Sequence, residues 1–452
     1  MTTTPTRRPA VRARPADPQT TAKRTSRKPA RSVPGTARSK TAESKAERRT
    51  ARQTTVAAAW DSPVTSYYLV GGSALLLLLL GLVMVLSSSS VLSLQSSGTP
   101  FTTFLNQARF ALLALPVAWG ISRLSVSWIR RLAWPGMALA ALMQALVFIP
   151  GLQVAAGGNA GWVVIAGQNF QPAEFGKLGL AVWLGAVLAA KGRLLRHWYH
   201  VLFPAVFVAT GILAMVLYTH DLGTALVIML LVAGALWVAG VPLSMFTLAA
   251  MAGSAAAAFL VIPSSNRRDR IAMLFGMGDV DPMGLGLQPR RALQGLGTGG
   301  LSGVGLGESR SKWLWLPEAH NDFIFAIIGE ELGLLGALLV LVLFTALAVG
   351  LTRVVRRHPD RFVKISTAAI GTWILGQALI NIGVVIGVLP VIGLPLPLVS
   401  AGGSALVTTM AALGIVLAFA RNEPGARAAL AARRSSLRAH LAVVAPRSRR
   451  SS

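Results

Sequence analysis

The chain has 452 residues, of which 53% are apolar and 13% charged, and its net charge is +27. So much apolar sequence with so little charge excludes an ordinary soluble domain. The absence of cysteine excludes disulfides and thiolate metal sites, and the six histidines form no His-x-x-x-His or His-Glu-x-x-His pair, which argues against a zinc enzyme.

Residues 1–66 hold 15 Lys and Arg against 4 Asp and Glu, and residues 421–452 hold 8 against 1, so these two tails carry +18 of the charge. Basic tails beside apolar spans read as cytoplasmic segments near anionic lipid rather than as nucleic-acid arms. They have few large apolar residues to bury, so no fold is expected in either, and both are read as disordered. The polar N-terminal stretch is too long for a cleavable signal peptide, and the first apolar run, Tyr67 to Leu86, is long enough to span a bilayer.

Apolar runs follow near 67–88, 104–121, 132–150, 171–190, 200–218, 222–240, 243–263, 322–350, 364–389 and 400–420. They predict an all-α integral membrane protein, a bundle of about ten transmembrane helices over residues 67–420. Only Gly240-Val241-Pro242 separates the sixth run from the seventh, which reads as a tight turn. The eighth begins with acidic residues, so its first turns are expected at the outer surface.

Loops holding Arg123, Arg130 and Arg131, then Lys191, Arg193 and Arg196, then Arg353, Arg356, Arg357, Arg361 and Lys364 are read as cytoplasmic, with both termini. Loop 151–170 has no Lys or Arg and is read as outside. Residues 264–321 form a large outer loop between helices seven and eight, yet contain Arg267, Arg268, Arg270, Arg290, Arg291, Arg310 and Lys312. One reading is a solvated loop, partly neutralised by Asp269, Asp279, Asp281, Glu308 and Glu318. The other is a site for an anionic head group such as a diphosphate, which suits the arginine fork.

Ionisable residues in or at the edge of a span are expensive and are functional candidates by default. They are Arg109, Glu174, Lys177, Asp221, Asp322, Glu330 and Glu331. Glu174 and Lys177 share a helix face, either as a structural ion pair or with Lys177 offering its charge to a carboxylate or phosphate in an outer cavity. Asp221 reads first as a helix cap. Arg109 either snorkels or joins the same cavity. Asp322 is either a cap or a carboxylate able to deprotonate a sugar hydroxyl. Glu330 and Glu331 read as partners for Lys or Arg on neighbouring helices, and His320 as a capping or packing residue as readily as a proton carrier. The glycines of 295–300 and 303–307 lack the Gly-Lys-Ser/Thr ending of a phosphate loop and read as a flexible loop over a cleft. The segment from Leu389 to Pro397 is non-helical chain that must be buried or line a cavity.

These segments in order resemble the SEDS family (shape, elongation, division and sporulation). The matching stretches are Gly161-Trp162, Gln171-Pro172-Ala173-Glu174 with Lys177, Asp221-Leu222-Gly223-Thr224, Gly297 to Gly307, Pro317-Glu318-Ala319-His320-Asn321-Asp322, Gly329-Glu330-Glu331-Leu332-Gly333, Asn381-Ile382-Gly383, and Leu389 through Ser400-Ala401-Gly402-Gly403-Ser404. The Pro-Glu-Ala-His form and the long charged tails look more like the division branch than the elongation branch. Asn321, Ile392 and Ala401 depart from the family's usual Thr, Thr and Tyr without removing a charge.

The resemblance implies a peptidoglycan glycosyltransferase that joins lipid II to a glycan strand at the outer face of the cytoplasmic membrane during septal synthesis. It implies Asp322 as the essential aspartate and Lys177 as its partner. Candidates for substrate binding are Glu174, Arg109, Arg267, Arg270, Arg290, Arg291, Glu318, His320, Asp221, Ser400, Gly402 and Gly403. No metal ligand is assigned, and a divalent cation (magnesium or manganese) is an open alternative source of positive charge. Implied partners are a class B penicillin-binding transpeptidase and, through the tails, other division proteins; no nucleic acid is expected. The competing readings are a lipid II flippase and an elongation-type polymerase. The flippase is disfavoured by charges clustered at one face and by the lack of a detectable internal repeat.

Overall fold

Each apolar run winds into helix, because in lipid only a helix or a closed barrel satisfies its own backbone. The computed structural model describes residues 60–156, 159–165, 167–263, 268–269, 272, 286–313, 316–432 and 435. Residues 1–59, most of 433–452, and Arg267 and Arg270 lie outside the described residues. In chain order the helices are α1 (Thr65–Ser97), α2 (Thr102–Ser122), α3 (Val126–Arg131), α4 (Ala133–Ala145), α5 (Pro172–Lys191), α6 (Trp198–Tyr218, interrupted at Phe203), α7 (Leu222–Ala239), α8 (Leu243–Val261), α9 (Leu287–Thr298), α10 (Ile324–Arg357), α11 (Arg361–Val385) and α12 (Gly403–Arg421).

Among the described residues, eight helices are long and apolar enough to cross a membrane, and two further apolar stretches, Ala133–Phe148 and Leu243–Ala255, are shorter. The chain is therefore a multi-pass membrane protein. The most buried spans are α11 and α12. α12 packs along α2, α11 lies against α7 and α5, and α10 runs beside α1.

Three stretches differ from expectation. First, α1 continues nine residues past its expected end at 88. Its serines bond back to the preceding turn, Ser89 Oγ to Val85 O at 2.7 Å and Ser90 Oγ to Ser87 O at 3.0 Å, so a polar run stays helical. Second, the expected loop 151–170 is a three-stranded antiparallel sheet, β1 (Gln153–Ala156), β2 (Asn159–Ile165) and β3 (Gln168–Phe170). Its register pairs Val154 with Trp162 and Val163 with Phe170. The sequence signal was present: Trp162-Val163-Val164-Ile165 is a strand-forming run flanked by Gly157-Gly158 and Ala166-Gly167.

Third, the glycine-rich run is not a free flap. α10 breaks at Gly333, where φ is +65°, and segment 299–305 inserts at the break. Val304 N–H donates to Glu330 O at 3.0 Å and Gly305 N–H to Glu331 O at 3.1 Å; Leu334 N–H donates to Gly300 O at 2.9 Å and Leu335 N–H to Leu301 O at 3.2 Å. The loop thus satisfies the carbonyls and amides that the break releases. A Cβ on Gly303 would lie 2.1 Å from Glu331 O, and one on Gly333 2.3 Å from the Gly303 nitrogen, so both positions need glycine for contact as well as for φ.

The bundle has two polar ends. At one, here the tail end, Arg353 donates to Trp60 O at 2.6 Å and Arg357 to Asp61 O at 2.8 Å, with Arg357 Nε 3.9 Å from the buried Glu423 carboxylate. At the other, the sheet end, lie the β-sheet, the starts of α5, α7, α10 and α12, and segment 386–402.

Candidate active site

The site grows from residues that the local sequence forces out of helix. Leu389-Pro390, Pro395 and Pro397 deny that segment a ladder, and Gly387 and Gly393 turn it at positive φ. Its backbone must find partners elsewhere, and α11 supplies them. Trp373, Gln377 and Asn381 recur every four residues on one face of α11. Gln377 Nε2 donates to Pro395 O at 2.9 Å, and Asn381 Nδ2 to Leu394 O at 2.7 Å. The expectation that this non-helical chain is buried in protein is met by Leu394, Leu396, Leu398 and Val399, all buried.

The same stripe meets Lys177. Pro172 starts α5, which places Glu174 and Lys177 one turn apart on its inner face. Lys177, 0% exposed, donates to Glu174 Oε1 at 2.8 Å and to Gln377 Oε1 at 3.1 Å, and its ammonium sits 4.9 Å from the Trp373 ring centre. The second Glu174 oxygen takes the Thr408 hydroxyl at 3.4 Å. The lysine charge is committed to a desolvated ion pair, with Gln377 and Thr408 adding a hydrogen bond to each partner.

Asp221 caps α7, accepting from Thr224 N–H at 2.9 Å, and also accepts from Gln171 Nε2 at 2.8 Å. Asp322 does not cap. α10 starts two residues later with Phe323 in the cap position, which frees the Asp322 carboxylate. It is partly exposed, faces Gly393 (whose Cβ would lie 3.5 Å from Oδ2) and forms no ion pair among the described residues. Burial pushes its pKa up to about 7, helped by the charges of Glu318 and then Asp221. His320, two residues before it, is held below its ordinary value by burial, which Glu318 partly opposes. The turn thus carries an acid raised towards neutrality beside an imidazole whose pKa is lowered.

The remaining candidates are spread out. Glu318 is exposed and accepts from Asn321 Nδ2 at 2.9 Å. Ser400, 5% exposed, donates to Asn321 O at 2.6 Å and accepts from Leu396 N–H at 2.8 Å. Gly402 N–H donates to Gln107 Oε1 at 3.1 Å, and Gly403 has the Phe110 ring against it. Arg109 is exposed, two residues from buried Gln107 and so on the other side of α2. Arg290 is exposed and Arg291 half-buried on α9, which packs on α10. The structure therefore brings Asp322, Glu318, His320, Asp221 and Ser400 to one end, and sets Lys177 and Glu174 beneath them.

Glu330 binds the loop before α10, and Glu331 bridges that loop and α1. Glu330 accepts from Ser309 Oγ at 2.6 Å and Arg310 N–H at 2.9 Å; Glu331 accepts from Ser87 Oγ on α1 and lies 3.9 Å from Lys312 Nζ. Sequence reasoning missed Gln107 and Gln377, and gave no task to Gln171 or Asn381, although both lie in the stretches that carry the resemblance. A search for ionisable residues passes over neutral amides, yet an amide inside an apolar helix is a signal of the same kind.

A family described as cell cycle proteins matches residues 68–424. The chain belongs to that family, the SEDS family. Among SEDS proteins it is similar to the probable peptidoglycan glycosyltransferase FtsW of Mycobacterium tuberculosis, 42% identical over 385 residues that cover 85% of this chain and 73% of that one. The protein of the same name from Halorhodospira halophila is 39% identical over 345 residues, covering 75% and 86%. A solved chain from a peptidoglycan synthase complex that coordinates polymerization and crosslinking superposes with a TM-score of 0.64 at 26% identity, covering 79% of this chain and 97% of that one. The rod shape determining protein RodA of Thermus thermophilus superposes at 0.59 with the same identity and coverage.

Proposed function

We propose that this SEDS protein is a peptidoglycan glycosyltransferase of septal wall synthesis, which polymerises lipid II with Asp322 as the base. The observation that carries the role of Asp322 is a carboxylate free of any capping bond or ion pair among the described residues, held near neutral pKa at the rim of the sheet end. The relatives' names and the family match support the reaction class. The loop charges support an outer sheet end and cytoplasmic termini.

In the reaction so read, a sugar 4-hydroxyl attacks the anomeric carbon of a lipid diphosphate. Asp322 takes the hydroxyl proton, the glycosidic bond forms and the diphosphate leaves with the bonding electrons. An α-linked donor and a β-linked product fit one displacement with no covalent intermediate. The arginines of 264–321 are proposed to meet the departing diphosphate, with Arg109, Glu318, His320 and Asp221 lining its approach. Lys177 is proposed to hold a positive potential behind the cleft, its place fixed by Glu174 and Gln377.

A class B penicillin-binding transpeptidase is the proposed partner, and the tails are proposed to recruit division proteins. The solved synthase complex supports the first. The decisive experiment is lipid II polymerisation by the purified chain, with and without a cognate transpeptidase, comparing wild type with Asp322→Ala. Glycan from wild type and none from the variant is the expected result. No glycan under any condition, with lipid II still crossing vesicle membranes, would overturn it in favour of a flippase.

A further inference from the structure

The turn before α10 holds three consecutive carbonyls that the helix itself does not use, because its ladder begins at Phe323 O. Each has a different donor from the opposite wall. Ala401 N–H reaches His320 O at 3.0 Å, Ser400 Oγ reaches Asn321 O at 2.6 Å, and Asn381 Nδ2 reaches Asp322 O at 2.7 Å. Both side chains also hold segment 386–402: Asn381 through Leu394 O at 2.7 Å, and Ser400 through Leu396 N–H at 2.8 Å. Gln107 then braces the far end, donating to Ser400 O at 3.2 Å and accepting from Gly402 N–H.

Asn381 is 1% exposed and Ser400 5%, so neither offers a surface to a bound molecule. The Ser400 hydroxyl donates once and accepts once inside the protein. A carboxylate on a two-bond side chain goes where its backbone puts it, and displacement by about 1 Å lowers turnover by about 10²-fold.

We propose that Asn381 and Ser400 are positioning residues for Asp322, which clamp the backbone of its turn and touch no substrate. This rests on the reading of Asp322 as the base, and it gives Ser400 a different task from the substrate contact expected from sequence. The clamp also keeps the carboxylate near Glu318 and Asp221, the charged groups that act on it among the described residues.

The test uses the full chain with its transpeptidase partner and compares Ser400→Ala, Ser400→Thr and Asn381→Ala with wild type. For Ser400→Ala the expected kcat is about 10-fold to 10²-fold lower with KM changed by less than about threefold. Asn381→Ala acts in the same direction and at least as strongly, while Ser400→Thr, which keeps the hydroxyl, restores most of kcat. A second readout needs no turnover. The pH dependence of carbodiimide labelling at Asp322, followed by peptide mass spectrometry, is expected to have its midpoint near 7 in wild type. The midpoint moves down in both alanine variants as the loosened turn lets water reach the carboxylate. Wild-type kcat and an unmoved midpoint would overturn the proposal, as would a loss confined to KM. If wild type makes no glycan, the functional reading fails, and the labelling midpoint still decides the clamp. If Asn381→Ala does not fold, Ser400→Ala, which removes one oxygen, decides alone.

Discussion

Two carboxylates stand just outside the spans at opposite ends of the bundle, Glu423 after α12 and Asp322 before α10. Burial raises the pKa of both. Their neighbours differ in sign. Around Glu423 the Ser66 hydroxyl, Arg357 and Arg353 oppose the rise; around Asp322 the acids Glu318 and Asp221 add to it. The first arrangement ties the chain entering α1 to the chain leaving α12. The second leaves an acid poised to gain and lose a proton. Desolvation alone therefore does not mark a reactive group, and the sign of the surrounding charge does.

The comparison breaks most directly by neutralising each acid. Asp322→Asn is expected to lower polymerisation by about 10²–10⁴-fold, the usual worth of a general base. Glu423→Gln is expected to leave turnover within about threefold, because it touches no reacting group. Equal losses in the lipid II assay would show that both carboxylates are structural.

Stability should move in the opposite sense. The folded Asp322 binds its proton more tightly than the unfolded chain does, so its contribution is present at low pH and is lost as pH rises from about 4 towards about 7. Asp322→Asn removes that loss. Its Tm in detergent is expected to exceed wild type modestly at pH 5 and by more at pH 8. A lower Tm at both would mean the carboxylate makes a stabilising contact.

The buried pair gives the next largest effect. Lys177→Met strands the Glu174 charge and is expected to destabilise by about 3–5 kcal/mol. Adding Glu174→Gln should recover most of that Tm. If polymerisation recovers with it, Lys177 is structural; if it does not, the lysine charge serves the reaction.

The poise of Asp322 can be sharpened through its neighbours. Wild-type turnover should rise with pH through about 7, since the base works when deprotonated. Glu318→Gln and Asp221→Asn each remove a charge that raises this pKa, so each should move the acid limb to lower pH, Glu318→Gln further because its effect is the larger. An unmoved limb would assign it to another group. The smallest effect is expected at the exposed Arg130–Asp360 bridge, 2.5 Å long, where Arg130→Ala should change stability by about 0–1 kcal/mol.

Much of this was legible from residue order. Apolar runs located the helices, most ends to within a few residues although α1 and α10 run nine and seven residues past theirs, since a bilayer permits little else, and Asp322, Lys177 and Asp221 were visible as charges where charge is expensive. The cap at Asp221 followed from a local rule. The sheet at 153–170 was passed over because three short strands give a weak periodic signal beside twenty-residue spans.

What only the tertiary structure decided was who meets whom. Glu174 and Lys177 lie three apart, so their pairing was readable; that Gln377, 200 residues on, completes the lysine's shell was not. Nor could sequence tell that Gly303 enters the break at Gly333, or that Asn381 and Ser400 close on the backbone of residues 321–322. Helix formation and capping depend on neighbours within a turn, which a sequence displays. The poise of Asp322 depends on acids and amides brought from four separate segments, and that convergence exists only once the chain has folded.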